Sequence, residues 1–109
     1  MVLADPALDL VVAEDDGEIC GFALLHEIRK PENPYKLAEQ YLDVDEFGVA
    51  ASHRRQGVGT ALIDFCKAQA RARGFDRLEL NMWEFNQNAL AFYEAAGFTT
   101  YRRYLEMML

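Results

Sequence analysis

Residues 53–65, HRRQGVGTALIDF, set two arginines and two glycines directly ahead of an apolar run with helical spacing. The preceding stretch, YLDVDEFGVA (41–50), is strand-like, so the order is strand, glycine-rich turn, helix. That order constrains the fold strongly. The first-turn amides of a helix have no intrahelical partner, the dipole is positive there, and glycine lets an anion approach the backbone. A phosphate-bearing ligand is therefore the first candidate occupant. A P-loop is excluded because no Gly-Lys-Ser/Thr follows the first glycine at the required interval. The dinucleotide fingerprint fails too, since Leu62 stands where its third glycine would be and hairpins precede the motif.

The strand before the loop carries a second signal. Leu42 and Val44 alternate correctly, and so do Phe47 and Val49, but the pairs differ in parity. A β-bulge near Asp45-Glu46 accounts for the slip; it turns the strand and leaves backbone groups unpaired, for a ligand or simply at a sheet edge. Upstream, LDLVVAED (8–15) and EICGFALLHEI (18–28) read as strands joined at Asp16-Gly17, a strong hairpin turn. The second is apolar on both faces, as in a sheet covered on both sides. RKPENPYKLAEQ (29–40) reads as a loop.

After the glycine loop, Val58, Ala61, Leu62, Phe65, Gln69 and Ala72 follow helical spacing, and Gly74 stops the helix. FDRLELNMW (75–83) alternates as a strand. NQNALAFYEAAGF (86–98) reads as a helix capped by asparagine and ended at Gly97, and TTYRRYLEMML (99–109) as a last strand. The expected architecture is α/β of the α+β type. A mixed, mostly antiparallel sheet is flanked by helices in the order β-β-β-α-β-α-β, all in one domain over residues 1–109.

Composition narrows the partners. Eleven basic against eighteen acidic side chains give a net charge of −7, which argues against a nucleic-acid surface and is compatible with a cationic partner. Cys20 and Cys66 lie apart in apolar runs and read as reduced, buried residues; His26 and His53 have no metal-ligand spacing. With no leader and no membrane-length apolar run, the expected location is the cytoplasm.

Arg54-Arg55-Gln56-Gly57-Val58-Gly59 fits the acyl-CoA loop pattern Gln/Arg-x-x-Gly-x-Gly/Ala at every defined position. With DEFGVAASHRRQGVG (45–59) upstream, and Asn86, Ala89 and Tyr93-Glu94-x-x-Gly97-Phe98 downstream, the chain resembles the GNAT superfamily of N-acetyltransferases over most of its length. The resemblance implies acetyl transfer from acetyl-CoA to a primary amine of a small molecule or protein. Backbone amides of Arg55, Gln56, Gly57, Val58, Gly59 and Thr60 would hold the diphosphate, with Arg54 bracing the loop or touching the phosphates. Phe47, Gly48 and Val49 would pair with the pantetheine arm. Asn86 is a cofactor or backbone ligand, or a cap. Tyr93 stands where the family places the acid that protonates the leaving thiolate; on helical spacing alone it is a packed aromatic. Glu46 is the candidate base, or merely orients the amine, with Asp43 and Asp45 as alternatives. Trp83 lines the acceptor pocket or packs.

Family domains usually open with a strand and two helices that this chain lacks in the sequence reading. Either the chain is a truncated piece or another copy supplies the cover of that sheet face, and an exposed apolar face is expected to favour a homodimer or larger oligomer. The competing reading is a CoA-binding module without turnover, serving as a sensor or assembly part.

Overall fold

The computed structural model describes residues 1–82 and 86–109. Asp16 and Gly17 both take positive φ (49° and 82°), the geometry that lets a two-residue turn follow the twist of its strands. They close β2 (Leu10–Asp15) onto β3 (Glu18–Lys30). A short strand the sequence reading missed, β1 (Val2–Asp5), pairs antiparallel with β2. β3 pairs antiparallel with β4 (Glu39–Val49), and β4 lies parallel to β5 (Leu78–Leu80). The sheet order is β1-β2-β3-β4-β5. A parallel pair needs a crossover, and α1 (Val58–Ala72) supplies it between β4 and β5.

Alternation sends Val11, Ala13, Ala23, Leu25, Leu42 and Val44 to one face, where they bury against Leu62, Cys66 and Ala70 of α1. The helix stops as expected: Gly74 turns left-handed (φ 83°), Phe75 N–H reaches Ala70 O at 2.8 Å, and Gly74 N–H reaches Arg71 O at 3.1 Å. Just before it, Arg73 grips both carboxylate oxygens of Asp9, at 2.7 and 2.9 Å, and Glu27 at 3.1 Å. That clamp fixes the C-terminal end of α1 to the turn ahead of β2 and to β3.

α2 (Gln87–Ala95) lies beside α1: Lys67 Nζ donates to Ala96 O at 2.7 Å. The fold class is the one expected, but the element order differs at both ends. Observed is β-β-β-β-α-β-α, with β1 added and the expected final strand absent. Residues 99–109 form no ladder; Tyr101 Oη donates to Glu79 Oε1 at 2.8 Å, and from Tyr104 onward the apolar side chains are largely exposed. A three-residue β5 offers little edge for a further strand. β3 also runs to Lys30, into the stretch read as loop, and β5 is far shorter than 75–83. Among the described residues no helix is long and apolar enough to cross a membrane.

Candidate active site

The parity break is a bulge. Leu25 faces Val44 and Leu24 faces Glu46, so Asp45 is the extra residue of β4. The β4–β5 ladder ends at the same place, with Val44 opposite Leu80. Beyond it β4 continues to Val49 paired only to β3, so among the described residues no strand bonds Phe47–Val49 on the β5 side. The two parallel strands part there. The gap is an open cleft of about 480 Å³. Asp45, Glu46 and Phe47 line it from β4, Asn81 and Met82 from the chain after β5, and Asn86, Ala89 and Tyr93 from α2.

Register assigns these side chains to faces. Phe47 packs against the core on the α1 face, so Glu46 points to the opposite, open face. Tyr93 belongs to the α1 face, with its ring 6.0 Å from Phe47 and edge-on. Glu46 and Tyr93 therefore line one cleft from opposite sides of the sheet.

The Tyr93-Glu94-x-x-Gly97-Phe98 pattern acquires a physical meaning here. Gly97 turns left-handed (φ 109°), Phe98 N–H bonds Tyr93 O at 3.0 Å, and the Phe98 ring packs edge-on to Tyr93 at 5.8 Å. The helix stop holds the tyrosine in place. Burial pushes the Tyr93 phenol above its ordinary pKa, which keeps it protonated. Asn86 is the cap of α2, its Oδ1 accepting from Ala89 N–H at 3.2 Å, and it also stands in the cleft wall.

The glycine loop sits at the N-terminus of α1. Gly57 is the N-cap residue, left-handed at φ 81°, and no side chain caps the helix. Arg54, Arg55, Gln56, Gly57 and Thr60 are exposed, and Arg55 itself holds φ 63°. Helix amides without a capping side chain, just after two exposed arginines in the chain, fit an anionic group. Gly59 also has a packing role: a Cβ there would stand 3.0 Å from Phe92 Cζ, so the residue is small to admit α2. Val58 is half-buried against the core.

The structure thus gathers Glu46, Phe47, Asn86 and Tyr93 into the cleft. It sets Gly48, Val49 and the Arg54–Thr60 loop outside that lining, Val49 Cγ2 lying 3.6 Å from where a Gly59 Cβ would be. Trp83 lies outside the described residues. Sequence reasoning missed Phe92, which stacks on Phe47 at 6.0 Å and packs against Gly59. Its place beside Tyr93 in an aromatic pair was the available signal.

Asp43, on the open face, has its carboxyl pushed above the usual range by burial, then by Asp45 and Glu79, with His26 opposing. The folded chain therefore keeps this proton longer than the unfolded one does, and stability falls as pH rises from ~3.9 through the folded value. We expect Asp43→Asn to raise Tm at pH 7, with the gain shrinking as pH drops below about 4. Calorimetry at both pH values checks this; a lower Tm for the variant at pH 7 would contradict it.

Residues 2–98 match the family model described as Acetyltransferase (GNAT) family. Over 89 residues the chain is 38% identical to a 5-NmdU N-acetyltransferase of Pseudomonas phage PaMx11, covering 81% of this chain and 55% of that one. It is 35% identical over 97 residues to an aminoglycoside N(6′)-acetyltransferase type 1 of Klebsiella aerogenes, covering 89% and 62%. The chain thus spans little more than half the length of these relatives. Aminoglycoside N-acetyltransferase AAC(6′)-Iy, solved in complex with CoA, superposes with a TM-score of 0.77 at 21% identity, over 92% of this chain and 74% of that one. Loop, bulge, parted strands and match together show that this chain belongs to the GNAT acetyltransferase family.

Proposed function

We propose that the chain is an acetyl-CoA-dependent N-acetyltransferase acting on a primary amine of a small molecule or a protein. The observation that carries this reading is the parting of β4 from β5 beside the uncapped N-terminus of α1. The parted edge offers unpaired backbone at Phe47, Gly48 and Val49 for an extended amide-bearing arm, and the loop offers amides from Arg55 to Thr60 for a diphosphate. Arg54 and Arg55 add positive charge at that end. The CoA bound by the structural neighbour supports the same assignment.

When bound, acetyl-CoA supplies an acetyl group activated as a thioester. A free amide at the Asp45 bulge polarises its carbonyl, a stabilisation worth a few kcal/mol in other acyl transfers. The amine arrives as an ammonium: with a pKa near ~10, about 0.1% is neutral at physiological pH, a handicap of roughly 4 kcal/mol. Glu46, on the open face of the cleft, takes that proton directly or through water. Tyr93, on the other face, gives its proton to the departing thiolate. Acid and base on opposite sides of a gap suit a reaction whose nucleophile and leaving group separate across the carbonyl.

Asp45 and Glu46 line the cleft and no Lys or Arg does so among the described residues, which favours a cationic acceptor. The acceptors named for the relatives support a small-molecule amine. The buried free thiols of Cys20 and Cys66 suit the cytoplasm. The half-open face bearing Leu10, Val12, Phe22 and Leu24 favours self-association into a homo-oligomer.

The test is thiol release from acetyl-CoA with a panel of polyamines, aminoglycosides and lysine peptides. Amine-dependent release is expected. Tight CoA binding without turnover on any amine would instead identify a binding module, and no CoA binding at all would end both readings.

A further inference from the structure

A chain of hydrogen bonds runs from the β2–β3 hairpin to the glycine loop. Asp15, the last residue of β2, has Oδ2 3.0 Å from His53 Nε2. His53 Nδ1 lies 2.9 Å from Ser52 Oγ. The Ser52 carbonyl accepts from Gln56 Nε2 at 3.1 Å, and Gln56 directly precedes Gly57. A second tether, Ala50 N–H to Cys20 O at 2.8 Å, fixes the end of β4 to the start of β3.

Chemistry fixes the direction of the first link. A carboxylate only accepts, so His53 must carry a proton on Nε2, which leaves Nδ1 of the neutral ring to accept from the Ser52 hydroxyl. The imidazole is largely buried, while Asp15 is 60% exposed. An ion pair so exposed adds little stability by Coulomb attraction alone. What the carboxylate does supply is one tautomer and one ring orientation, at the base of a loop that holds Arg55 and Gly57 left-handed.

We propose that Asp15 is a positioning residue for the cofactor: through His53, Ser52 and Gln56 it holds the 54–57 turn with its amides presented outward. The proposal rests on the loop holding the diphosphate of CoA. Asp15 stands at the β2–β3 turn and is not among the residues lining the cleft, so that turn becomes part of the cofactor-binding apparatus.

The sign of one substitution separates positioning from charge. Removing a carboxylate near an anion site should tighten CoA binding if only electrostatics matter. Positioning demands the reverse. By calorimetric titration of the full chain with CoA, Asp15→Ala should bind about ten-fold more weakly, the scale of one lost hydrogen bond to a charged group. Turnover at saturating acetyl-CoA should stay within about two-fold, because the reacting groups are untouched. Asp15→Asn keeps an acceptor oxygen and should bind as the unaltered chain does, or more tightly. Glu18→Ala, which removes a charge from the same hairpin, should not weaken binding. The pair Asp15→Ala/His53→Ala should bind no worse than His53→Ala alone. Nitrogen NMR of the ligand-free chain should show His53 protonated on Nε2, and a tautomer mixture in Asp15→Ala. Equal or tighter CoA binding by Asp15→Ala overturns the proposal and leaves the acetyltransferase reading standing. Failure of the unaltered chain to bind CoA removes that reading, and this one with it.

Discussion

Replacing Tyr93 by Phe should lower kcat by about 100-fold or more, the usual contribution of a positioned general acid, while leaving the Kd for CoA within about two-fold. The ring contacts that hold the residue, with Phe47, Phe92 and Phe98, do not involve its hydroxyl, and Phe preserves them. Among the described residues no hydrogen bond engages that hydroxyl, so its loss strands no buried partner. The fold should therefore keep its Tm, which separates lost chemistry from lost structure. The pH profile gives a second signature. Burial raises the phenol's pKa, so the acid form persists above the ordinary tyrosine value near ~10. The alkaline fall in kcat belongs above that value in the unaltered chain and should vanish in Tyr93→Phe. An undiminished kcat would remove Tyr93 from the acid role and return it to packing.

Gly57→Ala should weaken CoA binding by about ten-fold, because an L side chain in the left-handed region costs roughly 1–2 kcal/mol. Space is not the obstacle, since a Cβ at Gly57 meets nothing within 4 Å. The cost comes from the backbone angle of 81° alone, and the loop either bears it or relaxes to another shape. Relaxation is the cheaper course for an exposed loop, and it misaligns the amides that begin α1. Gly59→Ala makes the contrast. Its Cβ would meet Phe92 Cζ at 3.0 Å and Cε1 at 3.3 Å, displacing α2 and with it the aromatic cluster around Tyr93. Titration with CoA should thus find Gly57→Ala impaired in affinity, whereas Gly59→Ala should lose turnover first. Unchanged affinity in Gly57→Ala would mean that the turn does not grip the cofactor as proposed.

Much of this site was legible before folding. Asp16-Gly17 demanded a tight hairpin because both residues tolerate positive φ, and the turn formed there. The opposed parities of Leu42/Val44 and Phe47/Val49 required one extra residue between them, and Asp45 is that residue. Gly74 and Gly97 marked helix stops because each accepts the left-handed angle that ends a helix. Such signals are local; each depends on a few neighbouring residues and their backbone energetics.

Other features depend on distant segments meeting. β1 was invisible because VLAD is short and its ladder forms only when β2 lies beside it. The last eleven residues read as a strand, yet pairing needs an edge, and β5 supplies three residues. The packing of Phe92 on Gly59 likewise joins residues 33 positions apart, which no local pattern announces.

Turns, helix limits, the bulge and the motif that marks the family follow from the order of residues alone, because backbone preference and side-chain period act over a few residues. Where β4 leaves β5, which faces Glu46 and Tyr93 occupy, and that Asp15 reaches His53 across 38 positions of chain emerge with the folded chain. Those outcomes rest on packing and register between segments far apart in sequence, where the chain's local energetics carry no information.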